Sequence, residues 1–572
     1  MKNEEIAKIL FEIGDYLDLK NIPFKPKAYQ EAAVSLDSLE KDVEDIYKKE
    51  GLKGLEEIQG VGESIALKIE EYLKTGKIKY FEELKKEKPI DLKNLKRIQG
   101  LGAKKIEFLN KELGITNVVE LKEAIEKNKL KDLKGFGEKS QKNILIGISF
   151  MEANGTRYLI SEIIDDVNEI VGRLKKIKEV KKIEIAGSFR RRKETVGDID
   201  ILVAASFPRK IMDEFVTFPN VVKIWGRGET KTSVRIKKGI NIDLRVVTEN
   251  SFGAALQYFT GSKEHNIALR ILANSKGYKL NEYGLFKNDI YKAGKKEEDI
   301  YKKLGLEYIP PELREGRNEI EMAAKHKLPK LVELKDVKGD FHTHSSFAGT
   351  NISMEEIVLR AIDKGYKYIG ISDHTKVLKI EKGLDEEKLK LQKKEIKKLN
   401  KRYGSKIRVF HGAEVNILKD GTLDIKNEVL KNLDFVNIGV HTNFKMGKKE
   451  MTERIIKAMS NPHVTCLVHP TGRIVNRRGS FDLDLEKIFQ FAKTNNIALE
   501  VNSSDRLDLS NYHIKRAKEI GCKFFINTDT HALKQMDRME YGVNEARRGW
   551  AEKKDIINTM SLKEIEKYLN KR

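Results

Sequence analysis

The chain is expected to be a multidomain α/β protein with a helical start, a mixed α+β core and a C-terminal (β/α)7 barrel. Three observations predict this. A Gly-apolar-Gly turn recurs three times before residue 150, and two acids stand two apart in an apolar run near residue 200. After Lys338, seven short apolar runs that end in ligand-type side chains alternate with helix-length charged segments. A length of 572 residues allows three or more domains, each with its own core.

Residues 1–150 read as short helices around an internal repeat. Gly60-Val61-Gly62, Gly100-Leu101-Gly102 and Gly135-Phe136-Gly137 each follow a Leu-x-x-apolar step. Each is followed by a helix with an apolar residue nine places after the first glycine: Ile69, Leu109 and Ile144. Such glycines let the chain turn tightly and bring helix N-terminal amides against a phosphate with no side chain between. This is a helix-hairpin-helix pattern, for which backbone contact predicts sequence-independent, salt-sensitive DNA binding. The blander reading is that the hairpins only join helices in a bundle.

The core, 151–312, centres on Gly187 to Asp200. Asp198 and Asp200 flank Ile199 in a strand, so both carboxylates point to one side, with Cα atoms roughly 6.5 Å apart at about 3.3 Å per residue. Asp243, in the strand Asn241–Val247, brings a third acid that shares a face with Asn241 and Arg245. Carboxylates so crowded call for a cation, and oxygen-only ligation favours Mg²⁺ or Mn²⁺ with places left for phosphate oxygens. Gly187-Ser188, after the strand Ile183–Ala186, would offer amides to a phosphate, with Arg190, Arg191 and Arg192 following. The parts describe phosphoryl or nucleotidyl transfer, against the alternative of an acidic turn beside a solvated arginine run. Further expected strands are Asp198–Val203 and Thr232–Ile236, while Trp225 to Lys231 reads as a loop in which Lys231 contacts backbone. Residues 313–337, charged and opened by Pro310-Pro311, read as a linker.

From residue 338 to 572 the strand-like runs end in Asp340-Phe341-His342-Thr343-His344, Ser372-Asp373-His374, His411-Gly412-Ala413-Glu414, His441, His469, Glu500-Val501-Asn502 and Asp529-Thr530-His531. Active residues at strand C-terminal ends are where parallel barrels do chemistry. Imidazole and carboxylate together suit Zn²⁺, Mn²⁺ or Fe²⁺, able to activate water against a phosphoester.

With Gly-Ser, Asp-x-Asp and a third strand Asp, the core resembles the family X DNA polymerases of the nucleotidyltransferase superfamily. The likeness continues in Tyr258-Phe259-Thr260-Gly261-Ser262 and Asn281-Glu282-Tyr283-Gly284. It implies that Asp198, Asp200 and Asp243 hold two metals and that Gly187, Ser188 and Arg191 hold a deoxynucleoside triphosphate. Tyr258, Phe259, Gly261 and Asn266 would line the sugar and base pocket, and Arg245 and Arg270 would contact DNA. Lys263 stands where relatives often carry an acid. In the helical start the resemblance makes Lys68 a possible lyase nucleophile, with Lys25 and Tyr29 as phosphate contacts, although Ser64 replaces an expected lysine; a solvated lysine is the plainer reading of Lys68. The C-terminal part resembles the polymerase and histidinol phosphatase (PHP) domain, a distorted TIM-like barrel. Its metal ligands fall on His342, His344, His374, Glu414, His441, His469, Asp529 and His531, with His411 outside the set and Gly349 where a further ligand usually stands.

The resemblance spans essentially the whole chain and implies short-gap filling in base excision repair. The barrel would act as a 3′–5′ exonuclease, a 3′-end phosphoesterase or an abasic-site endonuclease. Gapped, nicked or primer-template DNA and dNTPs are the expected partners, and a monomer the expected state. The net charge of +22 suits a polyanion. Two cysteines, Cys466 and Cys522, no signal-like apolar start and no spanning stretch suit a cytoplasmic protein without membrane contact. An RNA-acting nucleotidyltransferase and a DNA-binding scaffold with an inactive barrel are the competing functions.

Overall fold

A computed structural model describes residues 2–570, apart from 21, 38–41, 59, 88–89, 97, 99–100, 132, 134, 138–139, 142–143, 146–147, 149–156 and 379–381. The chain divides into two compact units, one built on Met1–Asn154 and the other on Gly155–Val475 with Gly479–Arg572. Among the described residues no helix is long and apolar enough to cross a membrane.

The first unit is all helix. Lys2–Leu19 buries Ile6, Leu10, Ile13 and Leu17 at helical spacing, and packs against Lys25–Asp37 through Tyr29, Ala32, Ala33 and Leu36. Each Gly-apolar-Gly turn sends its middle residue inward: Val61, Leu101 and Phe136 are all buried, as are Ile69, Leu109 and Ile144. Gly62 and Gly102 are the N-caps of Glu63–Thr75 and Ala103–Leu113, with no side chain capping either helix. The helix after the third turn falls largely outside the described residues.

In the second unit a five-stranded sheet carries the acids. Its order is Lys182–Ile185, Asp198–Ala204, Asn241–Val247, Lys231–Ile236 and Val221–Arg227, with the two acid-bearing strands parallel and the other pairs antiparallel. Alternation decides the faces. Ile199, Ile201, Val203, Ile242, Leu244, Val234 and Ile236 turn to one side, into a core with the helices Ile160–Lys175 and Pro208–Phe215. On the other face Leu202 and Ala204 are covered by Phe252, Ala255 and Leu256 of the helix Phe252–Thr260, which leaves the acidic end of the sheet open.

Two expectations need correction here. Trp225, Gly226 and Arg227 belong to the strand Val221–Arg227, and Lys231 opens the next, so only the turn between them is loop. The segment 313–337 is packed in part, with a helix Glu319–Ala324, and buries Arg314, Glu319, Ala323 and Val332. Arg314 lies inside because Glu297 Oε1 sits 2.5 Å from its Nη1 and the carbonyl of Ile309 accepts from its Nε at 2.9 Å.

Seven parallel strands from Gly339–Asp340 to Phe524–Asn527 follow one another in chain order. The bridge Thr343 to Thr530, with the His344 amide donating to the Thr530 carbonyl at 2.9 Å, joins first to last and makes a nearly closed barrel. Its interior is filled by aromatics: Phe341 lies 5.6, 5.1 and 5.0 Å from the rings of Phe410, Phe435 and Phe525. Gly412 makes room for this, since a Cβ there would come within 2.3 Å of Phe435. Sheet and barrel are bound by polar contacts. Arg473 Nη2 donates to Glu194 at 2.7 Å, Arg547 Nε to Glu312 at 2.8 Å and Arg317 Nη2 to Asn511 at 2.8 Å, while Arg192 reaches Glu540 at 3.2 Å and Asn544.

Candidate active sites

Asp200 and Asp243 are direct partners across the two parallel strands, and Asp198 faces Asn241 one step earlier. Alternation turns all three carboxylates to the open face. Burial first, then the charges of Asp198 and Asp243, push Asp200 up to about 6. Lys231 partly answers this negative charge, its Nζ 2.8 Å from Asp243 Oδ2. The triad is therefore looser than the barrel cluster: the described sets of three ligand atoms within 4.8 Å all lie in the barrel.

Gly187 adopts φ +61 beside Asp200, where a Cβ would lie 2.5 Å from the Oδ2, so only glycine lets this turn close on the acid. The short helix Gly187–Arg190 follows. An open cleft is lined by Gly187, Ser188, Arg191, Asp198, Asp200, Tyr258, Phe259, Gly261, Asn266 and Arg270, joined by Arg157, Lys193, Ser262 and Lys263. Arg245 lies over the Phe259 ring at 4.3 Å. Of the three consecutive arginines, Arg191 alone lines the cleft, held by the Thr260 carbonyl at 2.5 Å and Glu315 at 2.9 Å. Arg190 is turned to Glu297 and Thr260, and Arg192 to Glu312, 3.1 Å away. Asn266 is fixed by Gln257 and the Tyr258 carbonyl.

In the barrel Glu414 is the hub. Its Oε1 is 2.8 Å from His441 Nε2 and 2.8 Å from His469 Nε2; its Oε2 is 2.7 Å from His374 Nδ1, 3.2 Å from His342 Nε2 and 3.5 Å from His344 Nε2. Asp529 Oδ1 lies 3.3 Å from His344 Nε2 and 3.6 Å from His531 Nδ1. Although crowded, His342 Nε2, both nitrogens of His344, His374 Nδ1 and Glu414 Oε2 make no hydrogen bond of proper geometry. Buried lone pairs that converge without bonding one another fit divalent cations as their common partner. Burial opposes ionisation throughout, but the surrounding charges prevail at several members: Glu500, Asp529 and Glu414 hold His342 well above the ordinary imidazole range, and the histidines hold Glu414 well below the carboxylate range. Burial and the neighbours His531 and His374 push His344 well down. His411 stands apart, bonded to Gln392 at 3.2 Å. Gly349 ends the turn Ser346–Ala348 in a left-handed conformation and brings no ligand.

Sequence reasoning passed over the groups behind these ligands. Glu500 accepts from His342 Nδ1 at 2.7 Å and from the His469 amide at 2.7 Å; Asp340 accepts from the His342 amide at 3.0 Å and from Thr528. Their only signal was a place at the end of an apolar run.

In the helical unit, the predicted backbone-binding glycines Gly62, Gly102, Gly135 and Gly137 face open space, since a Cβ added at any of them meets nothing within 4 Å. Packing does not demand glycine there. Gly60 differs, since its Cβ would meet Ala32 at 3.3 Å, and it shares with Gly135 a left-handed φ, +80 and +88, that favours glycine. Gly100 lies outside the described residues. Lys68 Nζ is 3.0 Å from the Ser64 carbonyl and sits over the rings of Tyr80 and Tyr29 at 5.1 and 5.9 Å. Burial, and the charge of Lys25, lower its pKa, while Glu71 opposes. Burial also raises Tyr29 to about 12.

A glycine turn on a carboxylate-bearing sheet, beside a cationic cleft, defines a nucleotidyltransferase core, here in one unit with a metal-fitting hydrolase barrel. Family profiles described as DNA polymerase beta palm and DNA polymerase beta thumb match residues 160–223 and 255–315. A helix-hairpin-helix domain matches 1–78, a SAM-like helix-hairpin-helix tandem 92–149 and a PHP domain 340–504. A relative named DNA polymerase/3′-5′ exonuclease PolX, from Bacillus subtilis (strain 168), is 36% identical over 577 residues, covering 100% of both chains. Partial likenesses are to a repair DNA polymerase X of African swine fever virus (isolate Pig/Kenya/KEN-50/1950), 32% identical over 23% of this chain and 82% of that one, and to a probable phosphatase of Thermoanaerobacter sp. (strain X514), 27% identical over 29% and 69%. The chain belongs to the family X DNA polymerases that carry a C-terminal PHP domain.

Proposed function

We propose that the open sheet face is where this polymerase joins a nucleotide to a DNA 3′ end, with Asp198, Asp200 and Asp243 as ligands of Mg²⁺ or Mn²⁺. As a family X member the chain is a DNA-directed DNA polymerase with a metal-dependent phosphoesterase domain, and it binds DNA and uses divalent metal. The observation that carries the site is the pairing of Asp200 with Asp243 on neighbouring strands, with Gly187 closed onto Asp200.

In this reading Gly187 and Ser188 present amides to the triphosphate and Arg191 neutralises it, while Tyr258, Phe259, Gly261 and Asn266 orient sugar and base. Lys231, paired with Asp243, would have to release that carboxylate for it to hold a cation, because one ammonium cannot offset three carboxylates and a phosphate. Bound divalent cations supply the positive charge that both centres need to favour an oxygen nucleophile and a leaving phosphate oxygen. In the barrel the set His342, His344, His374, Glu414, His441, His469, Asp529 and His531 would take Mn²⁺, Zn²⁺ or Fe²⁺, with Glu414 Oε1 bonded to His441 and His469. Its work is trimming or cleaning 3′ ends, or cutting at abasic sites, so that the polymerase finds a usable hydroxyl.

The exposed glycines 62, 102, 135 and 137 suit backbone contacts with gapped or nicked DNA, and Lys25, Tyr29, Lys231, Arg245 and Arg270 add further contacts. We divide the chain at 1–150, 151–312, 313–337 and 338–572, with a cytoplasmic, monomeric protein serving short-gap base excision repair. A labelled primer on gapped DNA, followed with dNTPs and Mg²⁺ or Mn²⁺, tests the assignment. Asp198→Ala with Asp200→Ala should abolish extension and leave 3′ shortening; continued extension refutes it. His344→Ala should do the reverse.

A further inference from the structure

The chain has two tryptophans, and they differ sharply. Trp550 is 8% exposed, whereas Trp225 is 50% exposed on the edge strand Val221–Arg227. Register and contacts give the face on which its indole lies. Lys223 pairs with Arg235 and Ile224 with Val234, and Val234 belongs to the back core, so Lys223 and Arg235 look to the open face. The Trp225 ring lies with them: Lys223 Nζ is 3.6 Å from its centroid and the Arg235 guanidinium carbon 5.9 Å. Its Nε1 donates to Asn241 Oδ1 at 3.2 Å, and Asn241 is the residue paired with Asp198. A flat aromatic surface between two cations is thus tied to the strand beside the carboxylates.

An indole fixed between two cations and by a hydrogen bond, yet half open to solvent, offers a ready stacking face, and chemistry on this face selects its occupant. In-line displacement sets the attacking oxygen opposite the leaving pyrophosphate. The cleft with Gly187, Ser188 and Arg191 lies on the side of the strands Lys182–Ile185 and Asp198–Ala204 and of the helix Phe252–Thr260. The strand that ends in the 3′ hydroxyl must therefore come from the other side, over Lys231–Ile236 and Val221–Arg227. The indole reaches across to Asn241, two residues from Asp243 on one strand, which puts it about 7 Å from that carboxylate, roughly two nucleotides at about 3.4 Å each. Arg227 is not available there, being engaged by Asp213.

We propose that Trp225, flanked by Lys223 and Arg235, is a seat for the DNA strand that carries the reacting 3′ hydroxyl. The indole packs against a sugar or base face a few nucleotides from the end, and the two cations take the adjoining phosphates. Single-stranded binders combine an aromatic surface with a cationic track in the same way, and each stacked base is worth about 1–3 kcal/mol. The inference rests on the carboxylate site assigned above.

Acrylamide quenching of the full-length protein tests it directly, with Trp225→Phe as the blank that reports Trp550 alone. Saturating gapped primer-template, its binding followed by anisotropy, should at least halve the quenching due to Trp225. Trp225→Ala should raise the Kd for that DNA about thirtyfold, the middle of the stacking range, with the KM for dNTP at saturating DNA unchanged and Trp225→Phe recovering most of the loss. An indole that stays equally accessible in the complex overturns the proposal, as does wild-type DNA affinity in Trp225→Ala. Asp198→Ala with Asp200→Ala separates the two readings: if that variant still extends primers the site assignment fails, whereas lost extension with an unprotected indole fails the seat alone.

Discussion

Replacing Glu500 with glutamine should damage the barrel centre without touching a ligand. Oε1 of Glu500 accepts from His342 Nδ1 at 2.7 Å and Asn527 Nδ2 at 3.0 Å; Oε2 accepts from the His469 amide at 2.7 Å and Asn502 Nδ2 at 3.0 Å. Four donors leave neither oxygen room for a proton. They also fix the proton of His342 on Nδ1, so that Nε2 faces Glu414. An amide at either end sets an NH₂ against two of these donors, and with each stranded buried group costing about 1–3 kcal/mol the loss is about 2–6 kcal/mol. Relaxation of that clash swings His342 or His469, so Mn²⁺ affinity should fall about 10–100-fold, the usual cost of losing a partner behind a metal-binding histidine. Thermal unfolding of wild type and Glu500→Gln across a Mn²⁺ series measures both effects. Equal melting without metal, together with an equal Mn²⁺ response, would refute the account of Glu500.

Asp200→Asn bears on the sheet site. Because the Asp200 carboxyl titrates near 6 when folded and at 3.8 ordinarily, the metal-free fold loses stability as pH rises from about 4 to about 6, by up to roughly 3 kcal/mol at 1.36 kcal/mol per pKa unit. Metal-free Asp200→Asn should thus melt higher than wild type at pH 7 and alike at pH 3.5, an order that Mg²⁺ reverses at pH 7; a pH-independent difference contradicts this. Arg314→Ala removes one of the two guanidiniums that hold Glu297 at about 2 against burial; with Arg190 and Tyr308 still bonded to the carboxylate, stability in denaturant should fall by about 1–3 kcal/mol. Borohydride trapping of a 5′-deoxyribose phosphate adduct, lost on Lys68→Ala, would demonstrate a lyase; no adduct with the native chain leaves Lys68 as a half-buried structural amine.

What could be read from sequence followed how regularly each element repeats its pattern. Asp243 stands in a strand that buries every second residue, and Asp198 and Asp200 in the half of their strand that does the same, so their face could be derived. The candidate ligands that the barrel brings together stood out because each ends an apolar run. Val221–Arg227 could not be read this way: it is an edge strand with register shifts between Val221 and Lys223 and between Ile224 and Gly226, and all its residues after Val221 are exposed, which erases alternation. Arg314 misled for another reason, since a charge neutralised inside the fold, here by Glu297, looks in sequence like a solvated one. Glu500 sat in a recognised run, but nothing in one sequence distinguishes a carboxylate that grips a histidine from one that grips a metal.

The contacts of Arg473 with Glu194 and of Arg547 with Glu312 join the synthetic and hydrolytic halves in a single body. A DNA end that both centres act on would have to leave one to reach the other, so how readily it detaches would govern how the two activities share it.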